Sequence, residues 1–256
     1  MSFLKTIENG QILILGASQG IGRGFVRKLL ELENISRVYA TYRRQDSNSE
    51  LIKLQNQYLD RLNIFKVDVT NEFEIVQFVD SIQAKTDRLH LTINCVGILH
   101  QGIIQPEKSL RQIDPELLLD YFKVNSIGAV LVAKHILPLL RHNQSSVFST
   151  LSAKLGSIGD NKLGGWYGYR ASKAALNMLM RTVAIEYGRK SPKTTVVLLH
   201  PGTTKTELTR PFRKNVPQNQ LSSVEQCVDR LLTVIDKLTI EDSGKFFSWD
   251  GTILPW

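Results

Sequence analysis

Ile12-Leu13-Ile14-Leu15-Gly16-Ala17-Ser18-Gln19-Gly20-Ile21-Gly22 runs four apolar residues straight into a glycine-spaced turn. A continuous apolar run bounded by turn residues suits a strand buried on both faces. Gly16, Gly20 and Gly22 suit a backbone that bends sharply and lets another group come close. A helix beginning near Gly20 would aim its unpaired N–H groups and positive dipole end at the turn, the way a dinucleotide pyrophosphate is held. The spacing is Gly-x-x-x-Gly-x-Gly, not Gly-x-Gly-x-x-Gly, so the loop by itself is also compatible with a strand-to-helix turn that binds nothing.

Working outward, apolar residues at helical spacing (Ile21, Phe25, Val26, Leu29, Leu30) predict a helix over 21–32 that packs back on the first strand. The pattern then alternates. Strands are expected at 37–42, 62–67 and 89–95, with helices at 49–57 and 71–84 between them. A loop holding Gly97, Gly102 and Pro106 leads to a long helix over 115–140, a strand at 146–150 and a second long helix over 166–189. A strand at 195–200 precedes Pro201-Gly202, and a helix at 223–238 precedes a last strand at 245–249. Repeated β-α units without a hairpin signal argue for a parallel sheet covered on both faces. The expectation is one α/β domain over 1–256, a Rossmann-type doubly wound sheet of about seven strands.

At 256 residues and 42% hydrophobic composition, such a domain can bury a sizeable core. The start has no Arg-rich leader or apolar h-region, and no uninterrupted apolar stretch approaches a membrane span, so the expectation is a soluble, cytoplasmic chain with no membrane partner. Cys95 and Cys227 stand far apart, outside metal-ligand spacing, and fit a reducing compartment without a metal site. The net charge of +8 comes from scattered basic residues and local pairs such as Arg43-Arg44. That favours a basic surface around an anionic small molecule over a nucleic-acid interface.

The second informative stretch is Trp166-Tyr-Gly-Tyr-Arg-Ala-Ser-Lys173, where Tyr169 and Lys173 are four apart in a helical segment and share a face. A phenol with an ordinary pKa of about 10 transfers protons poorly near neutrality, and an adjacent ammonium lowers it. Tyr169 could then act as a general acid or base. Alone, an i, i+4 Tyr/Lys pair is an ordinary helix-surface feature.

The ordered set Gly16-x-x-x-Gly20-x-Gly22, Asp68, Asn94-Cys-Val-Gly97, Asn125, Tyr169-x-x-x-Lys173 and Pro201-Gly202 resembles the short-chain dehydrogenase/reductase family over nearly the whole chain. The run from Gly156 to Asn177, and the ending from Asp250-Gly251 to Pro255-Trp256, are similar to its C-factor and sniffer-type carbonyl reductase branch. The resemblance implies a carbonyl/alcohol oxidoreductase in which Tyr169 gives a proton to the carbonyl oxygen. Lys173 would lower the pKa of Tyr169 and hold a nicotinamide ribose, and Asn125 would anchor a water leading to Lys173 or be a satisfied buried amide. Gly16, Ser18, Gln19, Gly20, Ile21 and Gly22 would form the pyrophosphate turn. Asp68 and Val69 would meet the adenine, Asp68 being readable also as a helix cap. Asn94 and Gly97 match the family's Asn-Asn-Ala-Gly. Pro201, Gly202 and Thr206 would approach the nicotinamide, Thr206 being readable also as a solvated loop residue.

Two departures stand out. Leu15 replaces a threonine that usually precedes the first glycine, removing a supporting hydroxyl. The carbonyl-orienting serine is expected three residues before Gly156, where Ala153 stands. Ser152 is the expected substitute, with Ser157 or a water as the alternative. At the end of the second strand, Tyr42-Arg43-Arg44 offers guanidiniums and no carboxylate, so NADP(H) is the expected cofactor, with Arg43 on the 2′-phosphate. Leu99, Leu163, Trp166 and a mobile apolar lid over 208–217 are candidate pocket walls. A homo-oligomer built on the two long helices follows from the family analogy. The competing reading is a nucleotide-binding regulator or cell-cell signal of C-factor type.

Overall fold

The computed structural model describes residues 2–44 and 49–256. Seven strands form one sheet: β1 (Gly10–Leu15), β2 (Ile35–Tyr42), β3 (Leu62–Lys66), β4 (Leu91–Asn94), β5 (Ser146–Leu151), β6 (Thr194–His200) and β7 (Phe246–Ser248). Their order is β3-β2-β1-β4-β5-β6-β7, and every neighbouring pair is parallel. Helices α1 (Gly20–Leu30), α2 (Ser49–Gln57), α3 (Glu72–Gln83), α4 (Pro115–Leu140), α5 (Tyr167–Lys190) and α6 (Val224–Asp236) cover it. The expected alternation is present, with element ends moved by one or two residues.

Side chains alternate across the sheet with the period of two that strands impose. Ile12, Ile14, Val38 and Ala40 face one way, into a core with Phe25, Leu29, Leu51 and Leu231 of α1, α2 and α6. Leu13, Leu15, Tyr39 and Phe148 face the other way, against Phe78, Ile136, Leu176 and Met180 of α3, α4 and α5. Burying each such large side chain fully contributes roughly 1.5–3 kcal/mol, and two cores on one sheet fix its register.

The connection from β3 to β4 carries the chain back across the sheet, so the strand order reverses between β1 and β4, and at this switch point the carboxyl ends of the two strands open a crevice where ligands of such sheets gather. A Cβ on Gly16 would lie 3.1 Å from the Val96 nitrogen, so the turn after β1 lies directly on the segment after β4.

Three features go beyond the sequence reading. A π-helical turn, Lys123–Ile127, interrupts α4. By length and mean hydropathy α4 is long and apolar enough to cross a membrane, although polar residues interrupt its apolar stretches, and half of its most apolar window is buried within the fold. Past β6, Thr203–Thr204 pairs with Leu221–Ser222, and the intervening chain forms the 3₁₀ segment Glu207–Asn215.

Candidate active site

The turn after β1 has the geometry its glycines suggest. Gly16 and Gly20 take φ of +74° and +54°, which L side chains rarely adopt. A Cβ on Gly22 would sit 2.2 Å from the Gly16 carbonyl oxygen, so only glycine lets α1 start this close to the turn. Gln19, at the cap position of α1, provides no side-chain cap, and the helix's leading N–H groups face the turn without one. Ser18 is half-buried and Gln19 exposed beside them, while Ile21 packs against the core.

Leu15 is fully buried, and the hydroxyl absent there is supplied from the neighbouring strand. The Gly16 N–H donates to Thr41 Oγ1 at 3.1 Å and the Ala17 N–H to the Thr41 carbonyl at 2.7 Å. Sequence reasoning missed Thr41. The parallel pairing of Ile14 with Ala40 is the signal that puts it there.

Two residues beyond Thr41, Arg43 donates to Gln101 Oε1 at 2.9 Å, so its guanidinium spans from the end of β2 to the loop after β4. Asp68 follows β3, and its Oδ1 accepts from the Thr70 N–H at 2.9 Å and hydroxyl at 2.7 Å. The reading of Asp68 as the helix cap is corrected, because Asn71 Oδ1 accepts from the first-turn N–H groups of α3 at Phe73 and Glu74. Val69 is buried, and a Cβ on Gly128 of α4 would meet it at 2.7 Å.

On the other side of the crevice, β4 ends at Asn94, whose Oδ1 accepts from the Val96 N–H at 3.1 Å. Gly97 then passes so close to the long helices that a Cβ there would lie 3.3 Å from both Asn125 Oδ1 and Lys173 Nζ. Asn125 sits in the π-turn, where such irregularities often mark functional positions. Its amide is used internally: Oδ1 accepts from the Ile98 N–H at 2.7 Å, while Nδ2 donates to the Ile98 carbonyl and Ser172 Oγ, both at 3.0 Å. This matches the satisfied-amide alternative.

Tyr169 and Lys173 lie one turn apart on α5 and are buried, with 7% and 4% exposure. Lys173 Nζ stands 6.0 Å from the centroid of the Tyr169 ring and donates to the Leu151 carbonyl at 3.0 Å. Burial lowers the Lys173 pKa to about 8, opposed by the nearby Cys95 thiol. Burial also pushes the Tyr169 phenol well above its ordinary value. The expectation that Lys173 lowers the tyrosine is therefore not met in the protein alone, where desolvation of the phenolate dominates.

An apolar cluster surrounds the phenol: Leu99, Ile104, Tyr121 and Ala153, with Trp166, Leu208 and Phe212 packed on it. The Tyr169 ring meets those of Tyr121 and Trp166 edge to face at 6.4 and 6.2 Å. Trp166 also lies 4.8 Å from Phe212. Leu99 and Trp166, expected as pocket walls, pack in the cluster around Tyr169, and the segment expected as a lid brings Leu208 and Phe212 against it from its 3₁₀ segment. Leu163 is 91% exposed and is not a wall.

Ser152 requires a correction. It is buried and its hydroxyl donates to Asn177 Oδ1 at 2.6 Å, beneath α5 and away from the phenol. The reason is strand alternation, which continues past β5 because the Ser152 N–H still pairs with the Leu199 carbonyl. The next residue, Ala153, joins the cluster around Tyr169 and brings no hydroxyl. Ser157 is also buried, and its hydroxyl accepts from the Asp160 N–H at 3.2 Å. On the far side, Gly202 takes φ +70°, with Trp249 where a Cβ would go. Cys227 Sγ donates to the Pro201 carbonyl at 3.5 Å. Thr206 is a capping residue at the start of Glu207–Asn215, not a solvated loop threonine, and its methyl would lie 3.2 Å from a Cβ on Gly20.

The overall fold is shared with known proteins. A family model described as short chain dehydrogenase matches residues 11–217. The C-signal of Myxococcus xanthus is 34% identical over 148 residues, 58% of this chain and 84% of that one. The solved NADPH-bound carbonyl reductase from chicken fatty liver is similar with a TM-score of 0.86 and 29% identity, covering 98% of this chain and 95% of that one. The carbonyl reductase Sniffer of D. melanogaster gives 0.84 at 26% identity, over 97% and 100%. With most of its length matched, its strands in this order and a tyrosine and lysine paired beside the glycine turn, the chain belongs to the short chain dehydrogenase family of oxidoreductases.

Proposed function

We propose that this oxidoreductase reduces the carbonyl group of a small molecule with NADPH. The supporting observation is that Lys173 Nζ lies both beside Gly97 after β4 and 6.0 Å from the ring of Tyr169, which is itself set in an apolar cluster.

The residues present fit a nicotinamide dinucleotide. A Cβ at Gly22 would fill the cradle against Gly16, and the start of α1 leaves N–H groups for a pyrophosphate. On this reading Gly16, Ser18, Gln19, Gly20, Ile21 and Gly22 hold the pyrophosphate, Arg43 the 2′-phosphate, and Asp68 and Val69 the adenine. Asn94, Gly97 and Lys173 hold the nicotinamide ribose, and Pro201, Gly202 and Thr206 the carboxamide. When bound, the cofactor supplies the hydride that the carbonyl carbon takes up.

Tyr169 donates its hydroxyl proton to the carbonyl oxygen. Its raised pKa keeps it protonated at neutral pH, the form a reduction needs. Lys173 lies close enough to stabilise the phenolate left behind, and the apolar cluster excludes water from the transfer. The test is NADPH oxidation against a panel of aldehydes, ketones and diketones. Tyr169→Phe should cut turnover by roughly two to four orders of magnitude with NADPH affinity kept. Full turnover in that variant overturns the assignment.

Ala153 favours a second reading, a nucleotide-binding regulator of C-factor type, because it sets a methyl group in the cluster around Tyr169 where the family resemblance expects a serine hydroxyl. NADPH binding without turnover on any carbonyl would select it. We further infer a homo-oligomer through apolar residues left exposed on the long helices, Ile127, Met178 and Ile185, with a monomer by light scattering as the contrary result. Free Cys95 and Cys227 support a cytoplasmic location, which cell fractionation tests.

A further inference from the structure

Glu107 lies on the segment between β4 and α4, far in sequence from Tyr169, and is only 4% exposed. Its two carboxylate oxygens accept from the Gly168 N–H at 3.3 and 3.1 Å. Its backbone carbonyl accepts from the Trp166 N–H at 2.5 Å. Gly168 is the second residue of α5 and immediately precedes Tyr169.

Helix α5 has no cap of its own. Trp166 occupies the cap position with φ 53° and ψ 45°, its side chain caps nothing, and the first turn contains no acidic residue. Gly164 and Gly165 before it are also left-handed, at φ +65° and +67°. A tryptophan stays in that region only where its surroundings hold it. Here the Glu107 carbonyl holds it from one side. From the other, Arg170 donates through Nε to the Gly165 carbonyl at 3.0 Å and through Nη2 to the Gly164 carbonyl at 3.2 Å.

Gly168 makes the approach possible. A Cβ there would meet Tyr121 Cδ2 at 2.5 Å, Glu107 Oε1 at 2.8 Å and Leu118 Cδ2 at 2.9 Å. Tyr121 in turn donates to the Leu99 carbonyl at 2.6 Å and lies edge to face against Tyr169. The segment after β4, helix α4 and helix α5 thus converge on the residue before the catalytic tyrosine.

Burying a carboxylate is costly, and the N–H groups and positive dipole at a helix start offset that cost. Stability alone would be served by a serine or aspartate at position 166. A cap brought from the segment that also contributes Leu99 and Ile104 instead couples the substrate side of the pocket to the catalytic helix. We propose that Glu107 is a positioning residue: it holds the first turn of α5, and with it the Tyr169 hydroxyl and the Trp166 ring, in reacting geometry. This rests on the carbonyl-reductase reading.

The test compares the wild type with Glu107→Ala and Glu107→Gln in the full chain. It measures kcat, KM for the carbonyl, NADPH affinity by fluorescence and amide exchange at Gly168 by NMR. The alanine variant should lose kcat roughly tenfold to a hundredfold while NADPH affinity stays within about twofold, and Gly168 should exchange faster. Glutamine, which keeps the volume and an acceptor, should restore most of the kcat. Wild-type kcat in the alanine variant, or equal losses of kcat and NADPH affinity, overturns the proposal. If the alanine variant does not fold, the glutamine variant decides: a moderate kcat loss with faster Gly168 exchange supports positioning, and an unchanged kcat with faster exchange refutes it. A wild type that reduces no carbonyl sinks the carbonyl-reductase reading instead, and amide exchange still reports whether Glu107 holds the helix start.

Discussion

Lys173 is a buried amine that donates to the Leu151 carbonyl and faces no carboxylate among the charges that shift it, and replacing it should stabilise the apoprotein. Holding its pKa near 8, against 10.5 for an unburied lysine, corresponds to about 3 kcal/mol. At 4% exposure little solvent screening reduces that figure. The sign follows from the protons bound: between pH 8 and 10.5 the unfolded chain holds more of the Lys173 proton than the folded one, so folding stability rises with pH across that window. Below pH 8 the full cost is present. Lys173→Met keeps the stem, removes the charge and gives up the 3.0 Å bond to the Leu151 carbonyl, a loss of about 1 kcal/mol. The variant should therefore be about 2 kcal/mol more stable than the wild type at pH 7. That advantage should shrink, then reverse, as pH rises towards 10.5. Urea unfolding of both proteins at several pH values, without NADPH because a ligand would add its own stabilisation, measures this. Parallel pH slopes, or a variant less stable at pH 7, would refute the reasoning.

Ser152→Ala removes the donor to Asn177 Oδ1 in a place where Asn177 Nδ2 already has no hydrogen-bond partner among the described residues. It should cost about 1–3 kcal/mol of stability and leave turnover per folded molecule near the wild-type value. A turnover loss of orders of magnitude would return Ser152 to the catalytic role that its placement denies it. Arg43→Ala should weaken NADPH by about 1.5–3 kcal/mol, the range for hydrogen bonds to a charged group, with little effect on NADH. Calorimetric titration with both cofactors checks this, and equal wild-type affinity for the two would remove the basis for NADP(H).

The backbone of the site was legible because it depends on local signals. Gly16, Gly20 and Gly22 report steric room, four-residue spacing puts Tyr169 and Lys173 on one face, and apolar runs separated by helical periods give the sheet. Other features depend on contacts that no local pattern contains. Thr41 supports the Gly16 turn only because β2 pairs with β1 in one register. Ser152 and Ala153 differ by a single step of strand alternation, and that step turns a hydroxyl from the phenol to Asn177. Glu107 stands sixty-one residues before Gly168, so its capping role is invisible until the loop and the helix are packed together.

The electrostatics of the pair depend on burial, which local spacing does not contain. Spacing alone suggests that an ammonium one turn from a phenol lowers its pKa, but both groups are buried, and burial favours the neutral form of each. The two shifts therefore run in opposite directions, Tyr169 upwards and Lys173 downwards. A neutral phenol is a proton donor, whereas the reverse oxidation needs a phenolate base. On the carbonyl-reductase reading, the environment that makes Lys173 costly to the fold thus also biases the pair towards reduction at neutral pH. Alcohol oxidation should then gain on reduction only as pH rises, and an oxidation rate already at its maximum near pH 6 would show that something outside this pair sets the protonation of Tyr169.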